Sequence, residues 1–505
     1  MSLGKKLFVG SASNVINLLL QIASGFVLMP MSIHALGESV FGIWTLFAVV
    51  TGYYTLLDFG LTQAVSRFIS KAIGEQSGRD VASLTATAFY VFLVICLLAV
   101  GLTLVASCFT QGLFKTMDEA RIFNDLLYIF CLNALIVYPT SVFSGLLVAH
   151  MRYDMVNGLR IVTTALKFFG TIWLLKAGYG VYALAALATV SNLIEHLPKV
   201  FWAYRVDANL SIHPRQFARE KLRALFGYST YTFVANLADL FRFQIPPFLI
   251  TSYVSIAAVT HFRVGSRLIE FYTMFIVGVF SVLMPYFSRK HGESNHEEIR
   301  RNYLIASRLC VMLASFVGLS VIFYGDEFIR VWVGAGYEDA YQVLAVLCVG
   351  YLLALSQNPS ISLLYGIGQQ KFVAYTNLGE ALCNFALCLV LIPRYGITGA
   401  AISIALPMTV SKLVVQPYFV SRVLQMGYAG FLANTFLIPL VISVALFALI
   451  ALGIRQELHA SYPSIIGWGM CHTVLFALTG FYLVLTRDER GRLSQLAFKV
   501  LGRGV

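Results

Sequence analysis

Long apolar stretches recur along the whole chain, and they restrict its fold more than any other feature. Of the 505 residues, 58% are hydrophobic and only 12% are charged, whereas an ordinary soluble domain has about 25% charged residues. Each stretch is long enough to cross the ~30 Å hydrocarbon core of a bilayer. Backbone polar groups cannot stay unpaired in lipid, so such stretches must be helices or barrel strands. They lack the alternating hydrophobicity of barrel strands. The sequence therefore predicts an all-α polytopic membrane protein.

The apolar pattern predicts about fourteen transmembrane helices. We place them at residues 8–34, 40–66, 82–109, 122–149, 156–176, 181–204, 224–250, 255–286, 303–324, 340–366, 372–392, 397–420, 429–452 and 463–486. The first stretch follows Lys5 and Lys6. It is too long for the apolar core of a cleaved signal peptide, which has about 7–15 residues. We therefore expect it to remain as a membrane helix.

The distribution of Lys and Arg predicts the orientation, because cytoplasmic loops carry an excess of both. With a cytoplasmic N-terminus, few basic residues fall on the external side: Lys115, Arg121, Lys176, Arg330, Arg394 and Arg455. All the other Lys and Arg residues outside the spans then lie on the inside. We expect a multi-pass protein of the bacterial inner membrane with both termini in the cytoplasm. This bias explains the net charge of +12 through contact with anionic membrane lipids, and we expect no nucleic-acid partner.

The spans fall into two similar sets of six. We predict an N-terminal six-helix lobe at 1–205, a basic cytoplasmic linker at 206–223, a C-terminal six-helix lobe at 224–425, and two extra helices with a basic tail at 426–505. Similar segments recur about 218 residues apart: SRFISKAIGE ends at Glu75, and PYFSRKHGE ends at Glu293. A parallel repeat of this kind suits alternating access, in which one lobe rocks against the other around a midplane site.

The sequence contains no motif for catalysis, metal binding or cofactor binding. The eight cysteines fall inside apolar spans, where thiols behave as small hydrophobic side chains. None of them has the paired spacing of a zinc site. The loops are too short to form a catalytic domain. We therefore expect a transporter and not an enzyme, with no metal and no cofactor.

Residues 36–74 resemble the opening of bacterial polysaccharide flippases. The resemblance rests on an LG loop, on the FG and W of the second helix, and on LLDFGL at 56–61. This family belongs to the multidrug, oligosaccharidyl-lipid and polysaccharide exporter superfamily, whose members have twelve to fourteen helices in two six-helix lobes. The resemblance implies translocation of an undecaprenyl-pyrophosphate-linked oligosaccharide for O-antigen, capsule or exopolysaccharide. Other polysaccharide assembly proteins are then candidate partners.

Charged residues inside the spans are the candidate site, because intramembrane charge is costly and usually faces the bundle interior or a wet cavity. A pyrophosphate carries about two negative charges, and guanidinium groups bind phosphate oxygens bidentately. If the substrate is the one that the resemblance implies, its headgroup needs cations within the membrane. The predicted substrate-binding residues are Arg242, Arg263, Arg267, Lys412 and Lys167.

Carboxylates close to these cations leave a second interpretation open. Asp58, Asp239 and Glu270 are candidates for charge coupling or for pairing. Glu270 shares a helical face with two of the arginines, since residues three, four and seven apart lie on one side of a helix. It could therefore form a structural ion pair with Arg267, as Asp239 could with its neighbouring arginine. Pro246 and Pro247 form the best candidate hinge, because proline kinks helices.

Two other functional classes compete with a polysaccharide flippase. A drug or organic-cation antiporter of the same superfamily favours unpaired carboxylates, whereas these spans contain slightly more cations than anions. A polymerase or ligase of lipid-linked sugars usually has a large external loop with catalytic basic residues, and the external loops here are short. A lipid II flippase is compatible with the same sequence features.

Overall fold

The computed structural model describes residues 23–56, 61–75, 77–150, 152–207, 210–223, 244–454, 459 and 461–483. Within these residues all regular structure is helical, so the prediction of an all-α membrane protein is confirmed. The chain divides into two compact units, Met1–Thr260 and His261–Val505. The predicted linker at 206–223 lies upstream of this boundary, which falls inside a helix. The predicted domain limits stay a prediction.

The described helices up to the boundary include four long ones. They are α1 (Ala23–Leu36), α2 (Glu38–Leu56), α3 (Leu61–Gly74), α4 (Gly78–Ser107), α5 (Met117–Ala149), α6 (Tyr153–Lys176), α7 (Val181–Val206) and α8 (Ile245–Tyr253). Helix α9 (Ile256–Phe280) begins in the first unit and continues into the second. The long helices α4 to α7 follow the predicted spans 82–109 to 181–204 within a few residues.

The second unit continues with nine more α-helices among the described residues. They are α10 (Leu283–Gly292), α11 (His296–Trp332), α12 (Glu338–Ser356), α13 (Asn358–Gly366), α14 (Gln370–Val410), α15 (Gln416–Val423), α16 (Tyr428–Leu432), α17 (Ile438–Ile454) and α18 (Tyr462–Leu483). Gly396, with φ +58°, interrupts the helical geometry of α14 between two predicted spans. Only glycine adopts this left-handed conformation readily. The kink lies between the spans predicted at 372–392 and 397–420.

Seven helical runs in the described part of the chain are long and apolar enough to cross a membrane. They are Gly78–Ser107, Met117–Ala149, Asp154–Lys176, His296–Trp332, Glu338–Ser356, Gln370–Val423 and Tyr428–Gly453. The run Gln370–Val423 has 54 residues and covers the two spans predicted at 372–392 and 397–420. The protein is therefore a multi-pass membrane protein, while the total of fourteen spans stays a prediction.

Helix α4 shows how these helices separate a packed face from a lipid face. Phe92, Ile95, Cys96 and Ala99 are buried against the rest of the unit. Large apolar side chains on the other side are exposed: Val94, Leu97, Leu98, Leu102 and Val105. A soluble protein rarely exposes a continuous apolar patch of this kind. The exposed stripe is what a lipid-facing helix requires.

Two N-caps among the described helices lie at the spacing of the predicted repeat, which itself stays a prediction. The Ser77 hydroxyl accepts from the backbone N–H of Asp80 and donates to the Asp80 carboxylate at the start of α4. The side-chain amide of Asn295 makes the same two contacts with Glu298 at the start of α11. Both pairs of positions keep the spacing of about 218 residues. Each cap satisfies one backbone N–H group that the first helical turn leaves without a helical partner. The same type of N-cap therefore occurs twice at that spacing.

The predicted hinge prolines lie at the start of a helix. Pro246 and Pro247 occupy the first turn of α8, and both are buried. Proline is well tolerated in the first turn, where the missing N–H has no helical partner. Their hinge role stays a prediction.

Candidate functional site

Two arginines and one glutamate form a charged cluster on α9. Residues 263, 267 and 270 lie on one side of the helix, as their spacing predicts. The Glu270 carboxylate accepts hydrogen bonds from Nη1 of Arg263 and Nη1 of Arg267. Its Oε2 also accepts from Nη2 of Arg263 at 3.3 Å. Both guanidinium groups therefore share a single carboxylate, and the cluster keeps a net charge of +1.

The side of α9 that carries this cluster is polar and only partly buried. We call it the arginine face and define it by Arg263, Ser266, Arg267, Glu270 and Thr273. The charged side chains are 34% exposed at position 263, 21% at 267 and 35% at 270. Ser266 and Thr273 are also half-buried, and each hydroxyl donates to a carbonyl of its own helix. An incoming ligand can therefore reach the charged groups without unfolding the helix.

The opposite side of α9 is packed into the second unit. Val264, Ile269, Tyr272 and Ile276 are buried, and the Tyr272 hydroxyl donates to a carbonyl of α11 at 2.6 Å. Closer to its C-terminal end the helix exposes only apolar groups such as Phe275. The polar surface of the arginine face therefore ends before the C-terminal part of the helix.

A very close helix–helix contact sets the position of the arginine face. A Cβ atom on Gly265 would lie 2.5 Å from the carbonyl oxygen of Ala340 on α12, so only glycine permits this approach. Nearby, His261 Nδ1 is 2.6 Å from the Asp339 carboxylate, and its ring stacks on Tyr337 at 4.5 Å. These contacts fix the helix that carries the arginines to the start of α12.

Arg267 has an additional aromatic neighbour. Its guanidinium carbon lies 4.7 Å from the centre of the Phe271 ring, a geometry in which a cation is attracted to the face of the ring. Arginine keeps its planar set of N–H donors in such a stack. Arg267 is therefore held in place while it still presents donors to an anion.

Lys412, also predicted as a substrate ligand, forms a buried ion pair. Its Nζ is 3.1 Å from Oε1 of Glu380, and both side chains are 4% exposed. Lys412 lies in a π-helical turn, Ser411–Val415, which widens the helix at this point. Such turns are rare and often mark functional sites. The geometry is that of an interhelical ion pair, and a substrate-binding role for Lys412 stays a prediction.

Lys167, the remaining predicted cation, belongs to a polar network in the first unit. Its Nζ donates to Oδ1 of Asn192 on α7 at 3.2 Å. Asn192 in turn donates to Asn133 of α5 at 3.0 Å, and Asn133 donates to Thr189 at 2.8 Å. The network therefore connects the three helices α5, α6 and α7. It does not include the arginine face, which lies in the other compact unit.

A second polar group continues this network along α7. Lys199 Nζ is 2.9 Å from Glu195, and Thr163 of α6 donates to the same carboxylate at 3.1 Å. His196 is 2.8 Å from Thr140 of α5. Sequence reasoning did not single out the two asparagines or Lys199 as site residues. The signal was the recurrence of polar residues at 189, 192, 195 and 199, which is the spacing of one helical face.

The structure therefore brings together three of the predicted site residues, those of the arginine face. Arg242, Asp58 and Asp239 lie outside the described residues. The pairing predicted between Arg267 and Glu270 is present, and Arg263 shares the same carboxylate. Guanidinium groups use the same N–H donors for carboxylate and phosphate oxygens, so the predicted binding of a phosphate-containing anion is chemically compatible with this arrangement and stays a prediction.

Comparison with known proteins places this geometry in a family context. The putative O-antigen transporter of Shigella flexneri is 22% identical over 391 residues, which cover 76% of this chain and 90% of that protein. The probable low-salt glycan biosynthesis flippase Agl15 of Haloferax volcanii is 22% identical over 392 residues, covering 77% of this chain and 78% of its own.

Two solved structures share the fold. The lipid II flippase MurJ in an inward closed conformation superposes with a TM-score of 0.71 at 13% identity, over 98% of this chain and 99% of its own. An inward-facing multidrug resistance MATE family transporter of the MOP superfamily gives a TM-score of 0.70 at 17% identity, over 81% and 95%. At such low identity these similarities show the fold alone.

A family described as polysaccharide biosynthesis protein matches residues 35–342. The match covers more than half of the chain and includes both the segment 36–74 and the arginine face. The resemblance to polysaccharide flippases that the sequence predicted is thereby confirmed. The chain belongs to this family of polysaccharide biosynthesis proteins.

Proposed function

We propose that the protein is a flippase that moves undecaprenyl-pyrophosphate-linked oligosaccharide units across the bacterial inner membrane. It serves the biosynthesis of a surface polysaccharide such as O-antigen, capsule or exopolysaccharide. The observation that carries the proposal is the arginine face, where Arg263 and Arg267 converge on Glu270 in a half-buried part of α9. Two relatives are named as an O-antigen transporter and a glycan flippase.

The chemistry of the arginine face fits a pyrophosphate headgroup. The headgroup carries about two negative charges, and each guanidinium offers parallel N–H donors to phosphate oxygens. Partial burial strengthens such an interaction, because the effective dielectric constant is lower than in bulk water. When the headgroup arrives, the arginines exchange Glu270 for phosphate oxygens while the lipid tail stays in the bilayer. Translocation then follows by alternating access, with the loaded site open to one side at a time.

The direction of transport follows from the proposed topology. The excess of Lys and Arg in one set of loops supports an inner-membrane protein with both termini in the cytoplasm. Lipid-linked units would enter from the cytoplasmic leaflet and leave on the outer leaflet. An organic-cation antiporter is the main alternative, but the net charge of +1 on the arginine face repels a cationic substrate. The relatives' names give no support to a polymerase or ligase.

The experiment is complementation of a strain that lacks the protein, with full-length variants. We expect Arg263→Ala and Arg267→Ala each to abolish surface polysaccharide while the protein still reaches the membrane. Lipid-linked intermediates should accumulate on the cytoplasmic leaflet. Arg289→Ala is the matched control, because Arg289 is 81% exposed and pairs with Glu293 outside the arginine face.

Two results would contradict the proposal. If the deletion strain accumulates no lipid-linked intermediate, the protein is not the flippase of that pathway. If both arginine variants transport normally, or if exchanging Arg267 and Glu270 restores full function, the arginine face does not bind the headgroup. Immunoblots of the membrane fraction separate a loss of transport from a loss of protein.

A further inference from the structure

We propose that Glu270 is a specificity-determining residue, which keeps singly charged phosphodiester headgroups off Arg263 and Arg267 and yields to a doubly charged pyrophosphate. The inference rests on the proposed function, which supplies the pyrophosphate-linked substrate. The observation behind it is that one carboxylate engages both guanidinium groups. Glu270 is then more than a structural partner of the arginines, because it competes with every anion that approaches them.

A flippase needs such a competitor because of its surroundings. Anionic phospholipids such as phosphatidylglycerol present a phosphodiester with one negative charge, which no choline or amine of the same headgroup balances. Guanidinium groups bind these phosphate oxygens with the same geometry that they use for a pyrophosphate. The phospholipids surround the protein in large excess over any lipid-linked sugar. Discrimination against an abundant wrong ligand usually requires an unfavourable element built against it.

The position of Glu270 makes it an effective competitor. It lies on the same helix as both arginines, three and seven residues away, so it is always present at high effective concentration. It makes three contacts, two with Arg263 and one with Arg267. A phosphodiester that binds must displace the Glu270 carboxylate from these three contacts, and it brings the same single negative charge as that carboxylate. The exchange substitutes one set of charge-assisted hydrogen bonds for another and gains little.

A pyrophosphate gains more from the same exchange. It brings one negative charge for each guanidinium and enough oxygens to bind both groups bidentately. The Glu270 side chain is 35% exposed, so a displaced carboxylate has room to turn away from both arginines without unfolding the helix. The half-buried hydroxyl of Thr273 lies three residues further along the arginine face. Displacement of Glu270 is therefore favourable for a doubly charged pyrophosphate, whereas for a singly charged phosphodiester its free-energy change is close to zero.

The experiment measures lipid binding to the full-length protein in nanodiscs. The probe is undecaprenyl-pyrophosphoryl-N-acetylglucosamine, and the discs contain either phosphatidylcholine alone or phosphatidylcholine with phosphatidylglycerol. We expect the wild-type affinity to be insensitive to phosphatidylglycerol. Glu270→Gln should bind the probe about tenfold more tightly in phosphatidylcholine and lose that gain when phosphatidylglycerol is added, as expected for removing a charge-assisted competitor.

Glu293→Gln is a closely matched control. Glu293 also shares its carboxylate between two cations, Arg289 at 3.0 Å and Lys290 at 2.9 Å, but it lies at the end of α10 outside the arginine face. Hydrogen bonds from Lys290 and Arg289 lower the pKa of its carboxyl group, so this substitution also removes a full charge. We expect it to behave like the wild type.

The outcomes separate the two proposals. If Glu270→Gln is as insensitive to phosphatidylglycerol as the wild type, while Arg263→Gln and Arg267→Gln lose probe binding, the role of Glu270 is refuted and the arginine site stands. If the arginine variants keep full binding, the site assigned under the proposed function fails, and the role of Glu270 fails with it. Should Glu270→Gln not fold, Glu270→Asp replaces it. Its shorter side chain cannot span both arginines, so wild-type behaviour of that variant would also refute the inference.

Discussion

The buried ion pair between Lys412 and Glu380 gives the sharpest stability prediction. The Lys412→Met substitution removes the ammonium group 3.1 Å from a carboxylate that is 4% exposed. Removing one partner of a buried pair typically costs about 3–5 kcal/mol, because the other charge loses its compensation. For a unit of this size, each kcal/mol lowers the melting temperature by about 2–4 °C. We therefore expect Lys412→Met to melt roughly 10 °C below the wild type.

The assay is thermal unfolding of detergent-solubilised full-length protein, followed by tryptophan fluorescence at one scan rate. The double variant Lys412→Met, Glu380→Gln should recover most of the loss, because neither charge then remains buried. Lys371→Met is the control, since Lys371 is exposed near the start of the same helical run. If Lys412→Met has the same melting temperature as the control, the pair does not stabilise the second unit. The same conclusion follows if the melting temperature of the double variant is no higher than that of Lys412→Met.

Three further outcomes are expected. Gly265→Ala should destabilise the second unit by about 1–3 kcal/mol, because its Cβ would lie 2.5 Å from the Ala340 carbonyl oxygen. An unchanged melting temperature would contradict this close contact. Phe271→Leu should weaken probe binding about threefold by removing a cation–π contact with Arg267, and an unchanged affinity would show that the ring does not hold the guanidinium. Asn192→Leu should lower stability by about 1–3 kcal/mol, because its interhelical hydrogen bonds to α5 and α6 are lost; lipid binding at the arginine face should not change.

The helical fold was predictable because membrane insertion restricts the backbone so strongly. An apolar run of sufficient length can only be a helix once barrel strands are excluded, so α4 to α7 begin and end close to the predicted residues. The positions at which helices are interrupted were less predictable. Gln357, just before Pro359, separates α12 from α13, whereas Pro139 lies inside the continuous helix α5. Packing decides which proline breaks a helix, and a single sequence does not encode that packing locally.

The same distinction between local and distant contacts applies to the site. The pairing of Arg267 with Glu270 follows from a spacing of three residues on one helix, and the structure has it. Glu380 and Asn192 are distant in sequence from Lys412 and Lys167, so the spacing of residues around each lysine does not predict its partner. The sequence therefore predicted both lysines as substrate-binding cations without predicting these partners. Residues that meet through tertiary packing have to be found in the structure.

The sharing of Glu270 between two arginines also has a consequence for the energetics of a transport cycle. With the proposed substrate, the empty cluster carries +1, and the cluster loaded with a doubly charged headgroup carries −1. Across a membrane that is negative inside, outward movement of −1 and return of +1 are both favourable, by up to about 2.3 kcal/mol per charge and 100 mV. With a neutral residue at position 270, the loaded cluster would be uncharged and the return step alone would sense the voltage. In vesicles with an imposed potassium diffusion potential, Glu270→Gln should therefore make single-turnover flipping insensitive to voltage. Glu270 thus divides the electrical driving force between the two halves of the cycle.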